Sequence, residues 1–177
     1  MRATSLICLD LRGREGGTIT APMTVFNLTA LRAALARHQR LIGLDPGAKR
    51  IGLALSDVSL MLASPYGMLP RGRLAATAAE VAAIAAKEGA GGLVVGLPLG
   101  MDGSFGPAAQ AAKDFGRDLA AAAGLPVAFW DERLSSAAVN RAMIEADLSR
   151  AKRAERVDAA AAAYMLQAAL DASRPAG

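Results

Sequence analysis

Short apolar runs separated by turn residues are the main pattern of this chain, and alanine-rich stretches of helical length alternate with them in its second half. An apolar run of four to eight residues bounded by turn signals is typical of a buried β-strand. The runs predict five strands, at residues 41–45, 51–56, 60–69, 92–97 and 126–130. Because Pro46 and Gly47 follow the first strand closely, the first two strands are predicted to form a hairpin-like pair.

Helices are predicted around and between these strands. Asn27 is a suitable N-cap for a short helix ahead of the first core strand. Alanine-rich and apolar-periodic stretches predict further helices over residues 74–88, 107–123, 136–145 and 154–172, with a polar, basic link at 146–153. A strand meander followed by alternating strands and helices predicts an α/β fold, with a mixed sheet of about five strands and helices on both faces.

The domain organisation follows from the length and from the weak patterning of the N-terminal segment. A chain of 177 residues accommodates one domain with a sizeable core. Residues 1–22 combine several glycines with mixed charge and lack sustained periodicity, so we expect a disordered extension there. Residues 23–40 are predicted to form an N-terminal helical appendage, and residues 41–174 the main domain.

Membrane insertion and secretion are not expected from this sequence. No run approaches 18 consecutive apolar residues, the length that spans a bilayer. The first ten residues are too short and too soon charged for a signal peptide. We therefore expect a soluble, cytoplasmic protein with no membrane partner.

The net charge of +4 is unevenly distributed along the chain. The basic excess lies entirely within residues 1–40, whereas residues 41–177 contain equal numbers of basic and acidic side chains. Any affinity of the main domain for nucleic acid must therefore come from local clusters of basic residues.

Scarce residue types limit the chemistry available to the main domain. Cys8 and His38 are the only cysteine and the only histidine, and both precede the first predicted core strand. A disulfide framework and zinc sites built on Cys or His are thereby excluded, as are a cysteine nucleophile and a histidine base within residues 41–177. An enzyme with this inventory would depend on Asp, Glu, Lys, Ser, Tyr and a cofactor or metal, and hard cations with oxygen ligands match it.

Three carboxylates occupy positions suited to such a cation. Asp45 ends the first core strand, Glu132 closely follows the strand that ends at Trp130, and Asp158 lies in the first turns of the last helix. Ligands of α/β sheets collect at the carboxyl ends of parallel strands. Converging carboxylates repel one another unless a divalent cation joins them, so we predict that all three are catalytic and bind Mg²⁺ or Mn²⁺ for phosphoryl chemistry.

Simpler explanations exist for the acidic residues other than Glu132, which has poor turn propensity after an apolar strand. Asp45 precedes Pro-Gly and is also suited to a turn. Asp158 would also be favoured near a helix N-terminus by the macrodipole. Asp131, next to Glu132, would serve as a helix cap or as a partner for Arg133.

A glycine-rich loop between the predicted strand 92–97 and helix 107–123 is a second candidate site. Backbone amides in such a loop, with a helix N-terminus behind them, can hold phosphate. Turn geometry alone would also explain the glycines. The predicted substrate-binding residues of this loop are Gly96, Pro98, Asp102 and Gly103.

Basic side chains flank the proposed carboxylates on several sides in the sequence. Such clusters are often only a solvated surface, but their placement here favours a polyanion lying across a metal site. The basic residues predicted to contact substrate are Lys49, Arg50, Arg133, Arg153 and Arg156, with Arg71, Arg73, Arg150 and Lys152 nearby.

Four motifs in a fixed order give the chain a resemblance to a known family. They are Gly43–Gly52, Val94–Gly103, Asp131–Ser136 and Val157–Ala161. Over about residues 25–172 the chain resembles the YqgF family, also called RuvX, a Holliday-junction-resolvase-like family whose members are assigned as pre-16S rRNA nucleases. Ala48, Ser135 and Ser136 stand where members often carry threonine.

The resemblance implies an RNase H-like fold and hydrolysis of a phosphodiester bond. It implies that the acidic active-site residues are Asp45, Glu132 and Asp158. The implied role is processing of the 5′ end of precursor 16S rRNA in ribosome biogenesis.

Other functions stay open at this point. A related nuclease would resolve DNA junctions, and no motif visibly distinguishes RNA from DNA. A non-catalytic RNA-binding module with a vestigial acidic cluster is a further alternative. A sugar-kinase-like ATPase needs a second domain for which the chain is too short. The oligomeric state is monomer or homodimer, because a resolvase must act as a dimer on two strands whereas a single-cut RNA nuclease need not.

Overall fold

The computed structural model describes residues 25–100, 102–134 and 150–174. The strands are β1 (Val25–Phe26), β2 (Arg40–Pro46), β3 (Arg50–Ser56), β4 (Ala63–Pro70), β5 (Ala90–Leu97) and β6 (Val127–Asp131). The helices are α1 (Leu28–Ala34), α2 (Leu74–Glu88), α3 (Pro107–Ala123) and α4 (Arg150–Ala172), and a 3₁₀ turn spans Glu132–Leu134.

One mixed sheet organises these elements, in the order β1-β6-β5-β2-β3-β4. Strands β1, β6, β5 and β2 run parallel to one another, whereas β3 runs antiparallel to both β2 and β4. The predicted fold class is confirmed, although the sheet has six strands rather than about five. The additional strand, β1, is only two residues long and has no sequence pattern of its own.

Helices cover both faces of the sheet, as the sequence predicted. Buried side chains of α2 and α3, such as Val81 and Leu119, pack in one cluster with β2, β3, β5 and β6. Leu31 of α1 and Leu166 of α4 belong to a second cluster on the opposite face. Because β2 and β5 contribute buried side chains to both clusters, their sequences are near-continuous apolar runs.

Two predicted boundaries are wrong. The third strand begins at Ala63 rather than residue 60, because the Asp57 carboxylate accepts hydrogen bonds from the backbone N–H groups of Met61 (2.7 Å) and Leu62 (2.9 Å) and closes a turn there. The last helix begins at Arg150 rather than 154, so residues 150–153 are helical and do not belong to a link. Asp158 consequently lies in the third turn of α4, beyond the reach of the helix-terminus effect that offered a simpler explanation for it.

The segment before β2 contains both a strand and a helix. The Asn27 side chain accepts a hydrogen bond from the backbone N–H of Ala30 (2.7 Å), which confirms the predicted N-cap of α1. Val25 and Phe26 pair with Val127 and Ala128 of β6. The division into extension, appendage and main domain stays a prediction, and the predicted extension 1–22 and helix 136–145 lie outside the described residues.

Glycines let α4 approach the sheet closely. A Cβ atom at Gly43 of β2 would lie 2.9 Å from Cβ of Leu166, closer than Cβ atoms tolerate. The facing side of α4 is built largely from buried alanines, among them Ala159, Ala162 and Ala163.

In the described part of the chain, no helix is long and apolar enough to cross a membrane.

Candidate active site

Asp45 lies between two glycines on the sheet face that α4 covers. It pairs directly with Gly52 of β3. On its other side, the register that pairs Leu44 with Val95 places Gly96 of β5 next to Asp45. Leu44 packs into the cluster beneath α2 and α3, so the side chain of Asp45 points to the opposite face by strand alternation.

Glu132 reaches the position beside Asp45 from the end of β6. It follows directly after β6, whose residue Trp130 pairs with Gly96. A Cβ atom at Gly96 would overlap with Oε1 of Glu132 and would lie 3.2 Å from its Cδ. The carboxyl group of Glu132 therefore occupies the space that the glycine leaves open beside Asp45.

Asp158 of α4 lies over Gly52, on the other side of Asp45 from Gly96. A Cβ atom at Gly52 would overlap with the backbone oxygen of Asp158 and would lie 2.7 Å from its carbonyl carbon. The side chain of Asp158 pairs with Arg50, at 4.0 Å between Oδ2 and Nη1, and the two side chains are 38% and 43% exposed. An exposed ion pair of this length contributes little free energy, so either partner can exchange it for another ligand.

The chemistry of these donors suits a hard divalent cation. All three are carboxylates, the ligand type that Mg²⁺ and Mn²⁺ prefer. Among the residues that the structure describes, however, no group of three or more His, Cys, Asp or Glu side chains is close enough to hold a metal ion. The fold thus brings Asp45, Glu132 and Asp158 to one end of one sheet face without closing them into a ligand cluster.

A cleft of about 380 Å³ adjoins Asp158, and residues of the β2–β3 turn form its wall. Lys49 and Arg50, both predicted to bind substrate, are exposed there. The turn is tied down by Arg71, whose guanidinium donates to the carbonyl oxygen of Gly47 (2.9 Å) and stacks 4.9 Å from the ring centroid of Phe115. Two cations therefore face the cleft from a turn that a third cation holds in place.

Arg71 and Gly52 are positioning residues. The sequence places Arg71 only among the basic residues near the carboxylates, and it singles out neither this contact nor Gly52. Arg71 follows a strand in a run of basic and glycine residues, which carries no local signal for its contact with Gly47. Gly52 belongs to the first motif, but its role depends on a helix that begins about a hundred residues later in the chain.

Arg133 connects the end of β6 to the glycine-rich loop. Its Nη2 and Nε groups donate to the carboxylate of Asp131 at 2.7 and 3.1 Å, so the predicted alternative of an Asp131–Arg133 pair is confirmed. Hydrogen bonding to Arg133 lowers the pKa of Asp131, and Asp131 raises the pKa of Arg133. Both groups are therefore charged at neutral pH.

The other end of this guanidinium faces Gly103. A Cβ atom at Gly103 would lie 3.1 Å from Nη1 of Arg133, and the residue has a φ of +85°, so a side chain there would be strained on both counts. Asp102 accepts a hydrogen bond from the backbone N–H of Ser104 (2.9 Å), and hydrogen bonding to Ser104 lowers the pKa of Asp102. Asp102 thus shapes the loop from within, whereas Pro98 is exposed at its start.

The remaining predicted contacts are Arg153 and Arg156. Both belong to the first turns of α4, and their side chains lie outside the described part of the structure. Their proposed contact with substrate stays a prediction.

A family model described as "RuvX: Holliday junction resolvase" matches residues 39–172, which span β2 to the end of α4. The chain belongs to the RuvX family. The predicted resemblance is thereby confirmed, and with it the assignment to the nuclease class of hydrolases.

Curated relatives of this RuvX chain carry one common name. A protein of Acidiphilium cryptum is 67% identical over 149 residues, covering 84% of this chain and 94% of that protein. A protein of Gluconacetobacter diazotrophicus is 66% identical over 152 residues, covering 85% of this chain and 99% of that protein. Both are named "Putative pre-16S rRNA nuclease".

A solved structure of Thermus thermophilus RuvC in complex with a Holliday junction substrate is also similar. It is 17% identical, and the match covers 76% of this chain and 95% of that one with a TM-score of 0.48.

Proposed function

We propose that this protein hydrolyses a phosphodiester bond near the 5′ end of precursor 16S rRNA, with Asp45, Glu132 and Asp158 as the ligands of Mg²⁺ or Mn²⁺. The observation that carries the proposal is the placement of Asp45 between Gly52 and Gly96, with Asp158 packed over one glycine and Glu132 over the other. Three carboxylates at one place repel one another, and a divalent cation removes that cost.

A cation held by these three carboxylates would polarise the phosphate and activate a water. In the hydrolysis the water oxygen forms a bond to phosphorus, the bond from phosphorus to the leaving oxygen breaks, and that oxygen takes up a proton. Asp45 and Glu132 hold their carboxylates at the ends of strands, which limits the reorganisation needed during the reaction. Asp158 joins them when its weak ion pair with Arg50 is exchanged.

Phosphate groups of the substrate are proposed to bind on two sides of the carboxylates. Lys49 and Arg50 face the cleft beside Asp158, where an incoming phosphate replaces Asp158 as the partner of Arg50. On the other side, the loop from Gly96 through Pro98 to Gly103 would lie along the phosphates and Arg133 adds a cation. The N–H groups of Gly100 and Gly103 donate within the loop, so the expected cradle of backbone amides is not formed by these two residues. Arg153 and Arg156, which belong to α4, are proposed as further phosphate contacts.

The choice of RNA rests on the names of the relatives, because two proteins at least 66% identical are named for pre-16S rRNA. We place the reaction in the cytoplasm, where ribosomal RNA matures. A DNA four-way junction is the second candidate substrate, favoured by the family's description as a Holliday junction resolvase. That activity would require a homodimer to cut two strands, whereas cleavage of one RNA strand requires only a monomer.

Cleavage of a precursor 16S rRNA 5′-leader with Mg²⁺ or Mn²⁺ tests the proposal, with a four-way DNA junction assayed in parallel. Asp45→Asn should reduce cleavage by more than ~100-fold, because a carboxylate ligand of a catalytic metal supplies several kcal/mol. Its melting temperature should not fall. The matched control is Asp114→Asn on α3, a half-exposed carboxylate that accepts a hydrogen bond from Gln110, and this variant should cleave like wild type.

Each outcome separates the candidate functions. Metal-dependent cleavage of RNA alone, lost in Asp45→Asn, supports the proposal. Cleavage of the junction alone replaces the substrate with DNA. Binding of RNA without cleavage by the wild-type protein contradicts a nuclease and favours an RNA-binding module.

A further inference from the structure

Phe105 is an exposed aromatic side chain on the glycine-rich loop. It is 47% exposed, whereas Phe115 and Phe129 pack against the core beneath α2 and α3. A single exposed apolar side chain is ordinary on a protein surface. What distinguishes Phe105 is the set of groups around it.

A cation lies against its ring. Nζ of Lys113 in α3 is 5.4 Å from the centroid of the Phe105 ring. Arg133 contacts the same loop two residues earlier, at Gly103. The only acidic side chain between Gly100 and Gly106, Asp102, is turned onto Ser104. Helix α3 follows without an acidic residue in its first turn, so no carboxylate there repels a negatively charged group.

The loop that carries Phe105 is held by its own hydrogen bonds. The backbone N–H of Gly103 donates to the carbonyl oxygen of Gly100 (2.8 Å), and the N–H of Gly100 donates to that of Ser104 (3.0 Å). Pro107 begins α3 immediately after Gly106 and fixes the exit of the loop. The ring therefore lies on a turn that is already ordered, so binding a ligand there costs little conformational entropy.

A flat apolar ring beside cations matches a nucleotide, which presents a base face and a phosphate together. We propose that Phe105 is a stacking site for an unpaired base of single-stranded RNA, with Lys113 contacting the adjoining phosphate. This inference rests on the proposed function, and it adds a preference for substrates whose strand is unpaired next to the cut. A base in a duplex has both faces covered by its neighbours and is unable to stack on the ring.

The test measures binding in an Asp45→Asn background by fluorescence anisotropy, so that no probe is cut. One probe is a labelled single-stranded RNA of roughly 12 nucleotides, and the other is the same strand annealed to its complement. Phe105→Ala should weaken binding of the single strand by about 10-fold or more, the loss of one stacked base, and change duplex binding less than about twofold. Phe105→Trp should bind the single strand at least as tightly as Phe105.

Two controls isolate the aromatic face. Phe105→Leu keeps an exposed apolar side chain without a π-face and should bind like Phe105→Ala. Val58→Ala removes a 46% exposed apolar side chain from the β3–β4 turn, far along the chain from this loop, and should bind like the parent. Full single-strand affinity in Phe105→Ala or Phe105→Leu overturns the stacking site, as does an equal loss on both probes.

The assay keeps this inference separate from the proposed function. If wild type cleaves the RNA leader but Phe105→Ala binds normally, only the stacking site is overturned. If Phe105→Ala weakens single-strand binding selectively while wild type cleaves nothing, the stacking site stands and the nuclease proposal falls.

Discussion

The carboxyl group of Glu132 lies directly over Gly96, in space that any larger residue would fill. Gly96 is also the neighbour of Asp45 in the sheet, because the register of β2 and β5 continues from the Leu44–Val95 pair. Because Gly96 has no side chain, the carboxylate of Glu132, which follows β6, lies next to the carboxylate of Asp45 in β2. The proximity of the two predicted metal ligands therefore depends on residue 96 being a glycine.

Gly96→Ala should lose activity while keeping most of its stability. The added Cβ meets the far end of the flexible Glu132 side chain rather than backbone, so this side chain turns away and the carboxylate leaves its place beside Asp45. We expect cleavage to fall by ~10-fold or more and the free energy of unfolding to change by less than about 1 kcal/mol. Cleavage assays and urea denaturation measure the two effects. Wild-type activity in this variant would contradict a role for the Glu132 position.

Gly52→Ala should lose both stability and activity. Here the added Cβ meets the backbone oxygen of Asp158, so α4 itself must shift away from the sheet. The cost is about 1–3 kcal/mol, typical of overpacking, and Asp158 moves with the helix. Gly67→Ala in β4 is the matched control, because no atom lies within 4 Å of a Cβ there. Equal melting temperatures for the two variants would show that α4 does not press on Gly52.

Arg133→Gln should weaken nucleic-acid binding and reduce its salt dependence. Asp131 holds the guanidinium against the loop at Gly103, where a phosphate would gain a charged partner. The slope of log K against log salt should decrease by about 1, since one phosphate contact is removed. Arg117→Gln on α3, whose side chain is half exposed and pairs with Asp114, is the control. An unchanged slope for Arg133→Gln would make Arg133 a purely structural partner of Asp131.

Asp57→Asn should remove a stabilising charge from the β3–β4 turn. Burial opposes ionisation of Asp57, but hydrogen bonds from Leu62, Ser59 and Met61 outweigh it and lower the pKa from 3.8 to about 2. A lowered folded-state pKa stabilises the protein above the unfolded value, and this contribution is lost as the pH falls from about 4 towards 2. The asparagine keeps an acceptor for the backbone but not the charge.

The difference in unfolding free energy between wild type and Asp57→Asn should therefore be about 1–2 kcal/mol at neutral pH. It should stay constant down to about pH 5 and shrink below pH 4. Urea denaturation of both proteins across this range gives the difference directly, and other acidic groups cancel in it. A difference that is independent of pH would contradict the charge as its origin.

Local chemistry made much of the site predictable from the sequence. Asp45 and Glu132 stand at the ends of apolar runs, where burying a carboxylate is costly without a ligand, and this signal needs no tertiary contact. The glycine-rich loop is likewise visible, because Gly103 has to adopt a positive φ that other residues avoid. Four motifs in order gave the family, which the comparison with its model confirms.

The sequence by itself determined the secondary-structure types, the fold class and the candidate carboxylates, because these depend on periodicity and on residue chemistry within a few positions. Tertiary structure decided which residues meet. Strand β1 is defined only by its pairing with β6. Gly52 contributes to the site only because α4 packs over it. The same applies to Arg71, which reaches from the end of β4 to the turn before β3. Such contacts join residues distant in the chain, and no local pattern specifies them.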